Sequence, residues 1–187
     1  MKKLELDTLR IELSVKAKNG IDFIIAASII WISIAFIWTL PYTSYSKSVF
    51  TFMIGGLLLP MAFMFSKMFK TDWKVKDNPL QPLGLWFNFA QLFYFPFLIF
   101  TLIKYPDYFV MAYAIITSAH FFPYAWFYME KSYAVMAGLI SLGALIMGLN
   151  LSSEYTYLIP ALMSICLITL AVIIFISYRK KEFNYQQ

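Results

Sequence analysis

Six long apolar blocks, at 21–40, 48–66, 83–103, 107–129, 132–150 and 155–178, dominate this chain. Each holds about 19–24 residues, and an α-helix rising about 1.5 Å per residue covers a hydrocarbon core of roughly 30 Å with that length. Runs such as Ile24-Ile25-Ala26-Ala27 and Leu167–Ile176 lack the polar face that a helix of a soluble protein keeps. Only 13% of the residues are charged and 61% are hydrophobic, where about a quarter charged is usual in soluble domains. The expected fold is all-α: a polytopic membrane protein with six transmembrane helices, multi-pass in the lipid bilayer.

The basic residues predict an orientation. Of the fifteen Lys and Arg, thirteen fall before block 1, between blocks 2 and 3, between blocks 4 and 5, and after block 6; only Lys47 and Lys104 fall on the other side. The positive-inside rule then places both termini in the cytoplasm. Aromatic anchors agree, with Trp38, Tyr42, Tyr45, Tyr105, Tyr108, Tyr155 and Tyr157 toward the outer edge and Trp86, Trp126 and Tyr178 toward the inner one.

This topology divides the chain into an interfacial segment 1–20, one bundle 21–178 and a cytoplasmic tail 179–187. In the first, Leu6, Leu9 and Leu13 form a helical stripe while Leu9, Ile11, Leu13 and Val15 alternate like a strand; a short amphipathic helix on the cytoplasmic face is favoured, broken at Asn19-Gly20. Lys2 and Lys3 resemble the start of a signal peptide. No apolar region follows directly, and Leu40-Pro41 has no small-residue cleavage pattern, so block 1 is expected to stay as an anchor. The outer loops are short, and 67–82, with Pro79 and Pro82, reads as an ordered cytoplasmic turn.

Charge and cysteine usage narrow the function. The net charge of +5 is explained by topology and attraction to anionic headgroups, with no nucleic-acid module and no nucleic-acid partner expected. The single cysteine, Cys166, excludes an intrachain disulfide and a cysteine-based zinc site, and reads as a small buried filler. No metal or cofactor is expected.

Blocks 3 and 4 carry the polar groups that most need explaining. Asn88 and Gln91 are three apart and share a helix face; Tyr113, Thr117, His120 and Tyr124 follow a 4-3-4 spacing and share another. Counting from Leu83 and Met129, Asn88 lies about 8 Å deep and Gln91 about 12 Å, against about 8 Å for Tyr124 and about 14 Å for His120. An antiparallel hairpin should therefore pair Asn88 with the level of Tyr124 and Gln91 with that of His120. Pro96 frees the carbonyl of Leu92 and Pro123 that of Ala119, since proline lacks the N–H and crowds the carbonyl four residues back. With Tyr94 and Trp126 nearby, Asn88, Gln91, Tyr94, Tyr113, Thr117, His120, Tyr124 and Trp126 make a candidate ligand-binding pocket with apolar walls and a few fixed polar groups. The plainer alternative is that the same groups are interhelical hydrogen bonds, worth about 0.6 kcal/mol each.

Other features read as structural. Asp22 and Asp107 open helices, where an acid favours the dipole. Glu130-Lys131 reads as a solvated turn. Ala137, Ser141, Ala144 and Gly148 form a small-residue face that could pack within the bundle, where Gly55-Gly56 could receive it, or join a homodimer or partner subunit. Trp31, in mid-block, reads as core or lipid contact.

Two segments carry a resemblance: Asn78-Pro79 with Gly84–Asn88 and Ala90–Pro96, and Ala119–Tyr128. Together they resemble a family of small bacterial membrane proteins classed as a domain of unknown function. That resemblance implies a bacterial cell (inner or cytoplasmic) membrane and no particular activity. In span number and size the chain is also similar to the substrate-binding subunits of energy-coupling-factor vitamin transporters. Those often dock through alanines four apart in span 1, a spacing that Ala26, Ala27 and Ala35 lack.

Three classes of function follow. The first is binding or transport of a small, aromatic or amphipathic molecule between blocks 3 and 4. The second is a structural or regulatory subunit of a membrane complex. An enzyme is least favoured: one histidine, no deep carboxylate and a cysteine without an evident base supply no catalytic set.

Overall fold

A computed structural model describes residues 3–185; residues 1, 2, 186 and 187, including Lys2 and the end of the tail, lie outside it. Ten α-helical segments and no strand occur among the described residues: α1 (Lys3–Lys16), α2 (Ile21–Thr39), α3 (Ser44–Gly55), α4 (Leu58–Phe69), α5 (Gln81–Leu92), α6 (Phe95–Lys104), α7 (Phe109–Ala119), α8 (Phe122–Phe127), α9 (Ser132–Asn150) and α10 (Leu158–Tyr185). Five stretches are long and apolar enough to cross a membrane: Lys18–Thr39, Ser44–Phe69, Gln81–Lys104, Ser132–Asn150 and Ser153–Tyr185. The fourth apolar block is not among these five. His120, Pro123 and several hydroxyl-bearing residues dilute it, and it is split into α7 and α8.

Proline sets the segmentation. Pro60, Pro96 and Pro123 each lie just inside the second of two successive helical pieces, and each removes the hydrogen bond to the carbonyl four residues earlier. The linking residues Gly56 and Leu57, Phe93 and Tyr94, and His120 and Phe121 all keep right-handed helical angles. The α3–α4, α5–α6 and α7–α8 rods therefore bend without ending. Pro160, in the first turn of α10, breaks nothing, because the N–H it lacks would have no partner there.

The core forms around α2 and α10, which pack along each other, with α4 against α2 and α9 against both α7 and α10. Ala26, Ile34, Ile140, Met163, Leu167, Leu170 and Ile174 are fully enclosed at these contacts. A smaller cluster of Leu98, Phe109 and Ala112, with Phe52 and Phe95, joins α3, α6 and α7. The α5–α6 rod is peripheral: α5 buries no residue, and Leu85, Trp86, Phe89, Phe93, Phe97 and Phe100 point outward, as lipid-facing side chains do.

The N-terminal segment is a helix, as its stripe predicted, and it packs on protein. Leu13 is buried in the main core and α1 lies against α8 and α10. The break at Asn19-Gly20 is a left-handed run, with φ of 48° at Lys18, 56° at Asn19 and 74° at Gly20. Glycine is favoured at the last by its positive φ, and a β-carbon there would meet the Tyr128 ring and the Tyr133 hydroxyl at 3.3 Å.

The small-residue face of α9 makes contacts within the chain. Ala137 and Ala144 are buried, Ser141 Oγ lies 2.7 Å from Ser118 Oγ of α7, and the Met111 side chain covers Gly148. Gly55-Gly56 does not receive this face. The Tyr113 hydroxyl of α7 seats on Gly55 instead, with its ring 5.3 Å from that of the buried Trp31.

Each end of the bundle is tied by polar contacts. At one, Ser48 Oγ donates to the Pro106 carbonyl at 3.2 Å and Lys47 Nζ to that of Trp38 at 3.1 Å. At the other, α1, the 70–80 loop, the turn after α8 and the last turns of α10 come together.

Candidate functional site

Where α5 meets α7–α8, four of the eight expected site residues converge. His120 Nε2 lies 3.2 Å from Asn88 Oδ1, and His120 Nδ1 lies 3.2 Å from the Thr117 carbonyl. Tyr124 donates its hydroxyl to the Gly84 carbonyl at 3.0 Å, and Asn88 Nδ2 donates to that carbonyl at 3.1 Å. The pairing is thus one helical turn from the expected register. His120 meets Asn88 where Gln91 was expected, and Tyr124 reaches Gly84. The shift comes from where the helices end: counted from Gln81 and Phe127, Gly84 and Tyr124 each lie three residues in, and Asn88 and His120 seven.

The other expected residues disperse. Gln91 makes no side-chain hydrogen bond among the described residues, and Tyr94 is exposed beyond the bend. Tyr113 turns away to Trp31 and Gly55. Trp126 lies on the outside with the Arg10 guanidinium 4.5 Å above its ring.

The donors and acceptors of this cluster are not all paired. The Thr117 carbonyl can only accept, so in a neutral ring Nδ1 carries the proton and Nε2 offers a lone pair. That lone pair faces the oxygen of Asn88. Turning the amide over would satisfy the ring and leave the Gly84 carbonyl facing an oxygen instead. Thr117 sharpens the point. It keeps 9% of its surface, and its Oγ1 is buried without a partner. Other hydroxyls in apolar helices close a bond to the preceding turn: Ser28 to Ile24, Thr51 to Lys47, Thr101 to Phe97, Ser164 to Pro160 and Thr169 to Ile165. Thr117, one turn before His120, does not. Around these groups Phe87, Phe121, Tyr124, Phe127, Tyr128 and Tyr133 pack edge to face and in tilted pairs.

A second polar centre lies at the α1 end and was missed in the sequence. Asp22, expected only to complement a helix dipole, is buried, and its Oδ2 accepts from Trp73 Nε1 at 2.6 Å and Thr71 Oγ1 at 2.8 Å. Glu130, expected to be solvated, is also buried, beside Lys181. The 67–82 loop is ordered as expected, with Asn78 Nδ2 donating to the Leu9 carbonyl at 2.9 Å and Glu12 Oε2 at 2.8 Å. One signal was available in advance: an acid inside an apolar block, as Asp22 is, needs donors or a counter-charge. Lys181 left no such trace, being one of several basic residues past block 6.

No curated protein and no solved structure matches the chain. The model of the Family of unknown function (DUF7010) matches residues 6–177, which include Asp22, Asn88, Thr117, His120 and Glu130. By its helices a membrane protein, and by that match over most of its length, the chain belongs to this family of unknown function.

Proposed function

We propose that this chain is a six-crossing protein of the bacterial cytoplasmic membrane that binds, and in the fuller reading carries, a small amphipathic molecule at the contact of α5 with α7–α8. The observation that carries the reading is the buried, unpartnered Thr117 hydroxyl one turn from His120. A buried polar atom without a partner costs about 1–3 kcal/mol, and a bound molecule with a hydrogen-bonding head would remove that cost while its apolar body lies among the aromatic rings. Six crossings are supported by the run from Pro106 to Met129, whose start contacts Ser48 and whose end contacts Lys181 at the opposite end of the bundle. An even count agrees with both termini in the cytoplasm.

The test is a thermal-shift series on the purified chain in mild detergent, with tyramine, phenethyl alcohol and tetraphenylphosphonium as probes. The parent should be stabilised by at least one of them. Thr117→Val, which removes the unpartnered hydroxyl at nearly constant shape, should melt above the unliganded parent, by roughly 2–4 °C per kcal/mol relieved, and lose the shift. If no probe moves the parent and His120→Ala only melts lower, the contact is a helix-packing bond and the chain a structural subunit.

A further inference from the structure

A single ammonium closes the turn after α8. Lys181 Nζ donates to the Tyr128 carbonyl at 2.7 Å, Ser14 Oγ at 3.0 Å, the Met129 carbonyl at 3.2 Å and Asn19 Oδ1 at 3.3 Å, with Glu130 Oε2 at 3.8 Å. Ser14 and Asn19 are fully buried. An ammonium has three N–H groups, so this cup offers more oxygen than directional hydrogen bonds can use. Surplus oxygen converging on a compact charge is how carbonyl-lined sites replace an ion's hydration shell.

The cup is held together by bonds that do not involve Lys181. Ser14 donates to Asn19 Oδ1 at 2.5 Å, Asn19 Nδ2 to the Ile174 carbonyl at 3.0 Å, and Tyr133 to the Asn19 carbonyl at 2.6 Å. Ser132 Oγ fixes the other oxygen of Glu130 at 2.9 Å. Two of the contributing residues, Asn19 and Met129, have left-handed backbones, with φ of 56° and 50°. Such angles are uncommon away from glycine, and for Met129 they turn the chain sharply at a ligand position. One carboxylate among neutral oxygens suits a single positive charge, whereas divalent ions of the calcium type draw on several carboxylates.

We propose that this cup is a binding site for a small monovalent cation, potassium or ammonium by its chemistry, filled in this conformation by the chain's own Lys181. Removing the side chain should leave a preformed vacancy that a free cation can enter. The experiment compares the full-length parent with Lys181→Ala in detergent, melted in potassium, ammonium or choline chloride at equal ionic strength. The variant should melt below the parent in choline and recover by about 2–4 °C in potassium or ammonium, the shift for about 1 kcal/mol in a chain of this size. The parent should melt alike in all three salts. Adding Glu130→Gln to the variant should abolish the recovery. Equal melting of Lys181→Ala in potassium, ammonium and choline overturns the proposal, as does the same potassium effect in the parent. So does a variant that cannot be recovered from membranes in any of the three salts.

Discussion

The indole N–H of Trp73 donates to the buried carboxylate of Asp22 at 2.6 Å, fastening the loop between α4 and α5 to the first turn of the most enclosed helix. The same oxygen accepts from Thr71, and the Trp73 ring stacks on Phe23 at 4.9 Å. One acid thus gathers two donors that lie about fifty residues away in sequence.

Asp22→Ala would strand the Thr71 hydroxyl and the Trp73 indole, at about 1–3 kcal/mol. A fall of roughly 2–4 °C per kcal/mol is expected in the melting temperature. Trypsin should then cleave sooner at Lys70, Lys74 or Lys76, all exposed on that loop. Asp22→Asn, which keeps an accepting oxygen, should be milder. An Asp22→Ala variant with the parent's cleavage rate would show that the loop is held by Asn78 instead.

Helix α8 is held at its C-terminal end by two cations from opposite ends of the chain. Arg10 donates through both Nε, at 2.8 Å, and Nη2 to the Trp126 carbonyl, while Lys181 takes the carbonyls of Tyr128 and Met129. Cations at a helix C-terminus oppose its partial negative charge. Arg10→Ala and Lys181→Ala should each destabilise by about 1.5–3 kcal/mol, the range for hydrogen bonds to charged groups. The double variant should cost less than the sum by at least about 0.5 kcal/mol, because one loss already frees the end the other holds. Strict additivity in denaturation would mean that α8 is fixed by its aromatic packing. Arg10→Lys should not restore the parent, since an ammonium cannot match the planar stacking on Trp126.

The sequence made the helices and much of their extent legible, because hydrocarbon leaves few choices: block 132–150 coincides with α9, and block 21–40 with α2 to within a residue. Pairing between helices was less legible. Gln91 and His120 could be matched in depth, yet the facing helices end at Gln81 and Phe127 rather than at Leu83 and Met129, and that moves the pairing by a turn. Asp22, Glu130 and Lys181 were harder still. Glu130 and Lys181 lie between or past the blocks, where charge is ordinary, and Asp22 signalled only that it needed donors; the folding of distant turns onto one another encloses all three.

Acid should loosen the grip of the loop on α1. The Lys16 ammonium, 2.7 Å from Glu12, holds that carboxyl below its ordinary range, and the amide of Asn78 adds to the effect. A depressed folded-state value means that the contribution is present in full above the ordinary glutamate range. It is lost as pH falls through the lowered value. Loop proteolysis by an acid-active protease should therefore accelerate as pH falls below about 4 in the parent. In Glu12→Gln, which cannot titrate, the change attributable to this contact should vanish. Identical pH profiles for the two proteins would remove Glu12 from the account.

Two glycine-to-alanine substitutions separate close packing from mere helix propensity. At Gly55 a β-carbon would lie 2.3 Å from the Tyr113 hydroxyl, and that ring is flanked by Trp31 at 5.3 Å and Phe109 at 5.9 Å, so it has little room to withdraw. Gly55→Ala should cost about 1–3 kcal/mol, the range for overfilling a packed interior. At Gly138, on the exposed face of α9, nothing lies within 4 Å. Alanine there should gain about 0.5–1 kcal/mol from reduced backbone freedom in the unfolded chain. Melting followed by tryptophan fluorescence reads both, and Trp31 reports directly on the Tyr113 contact. Shifts of the same sign would mean that α7 does not seat against α3 through Gly55, and the position of the Thr117 and His120 face, carried on the same helix, would have to be redrawn.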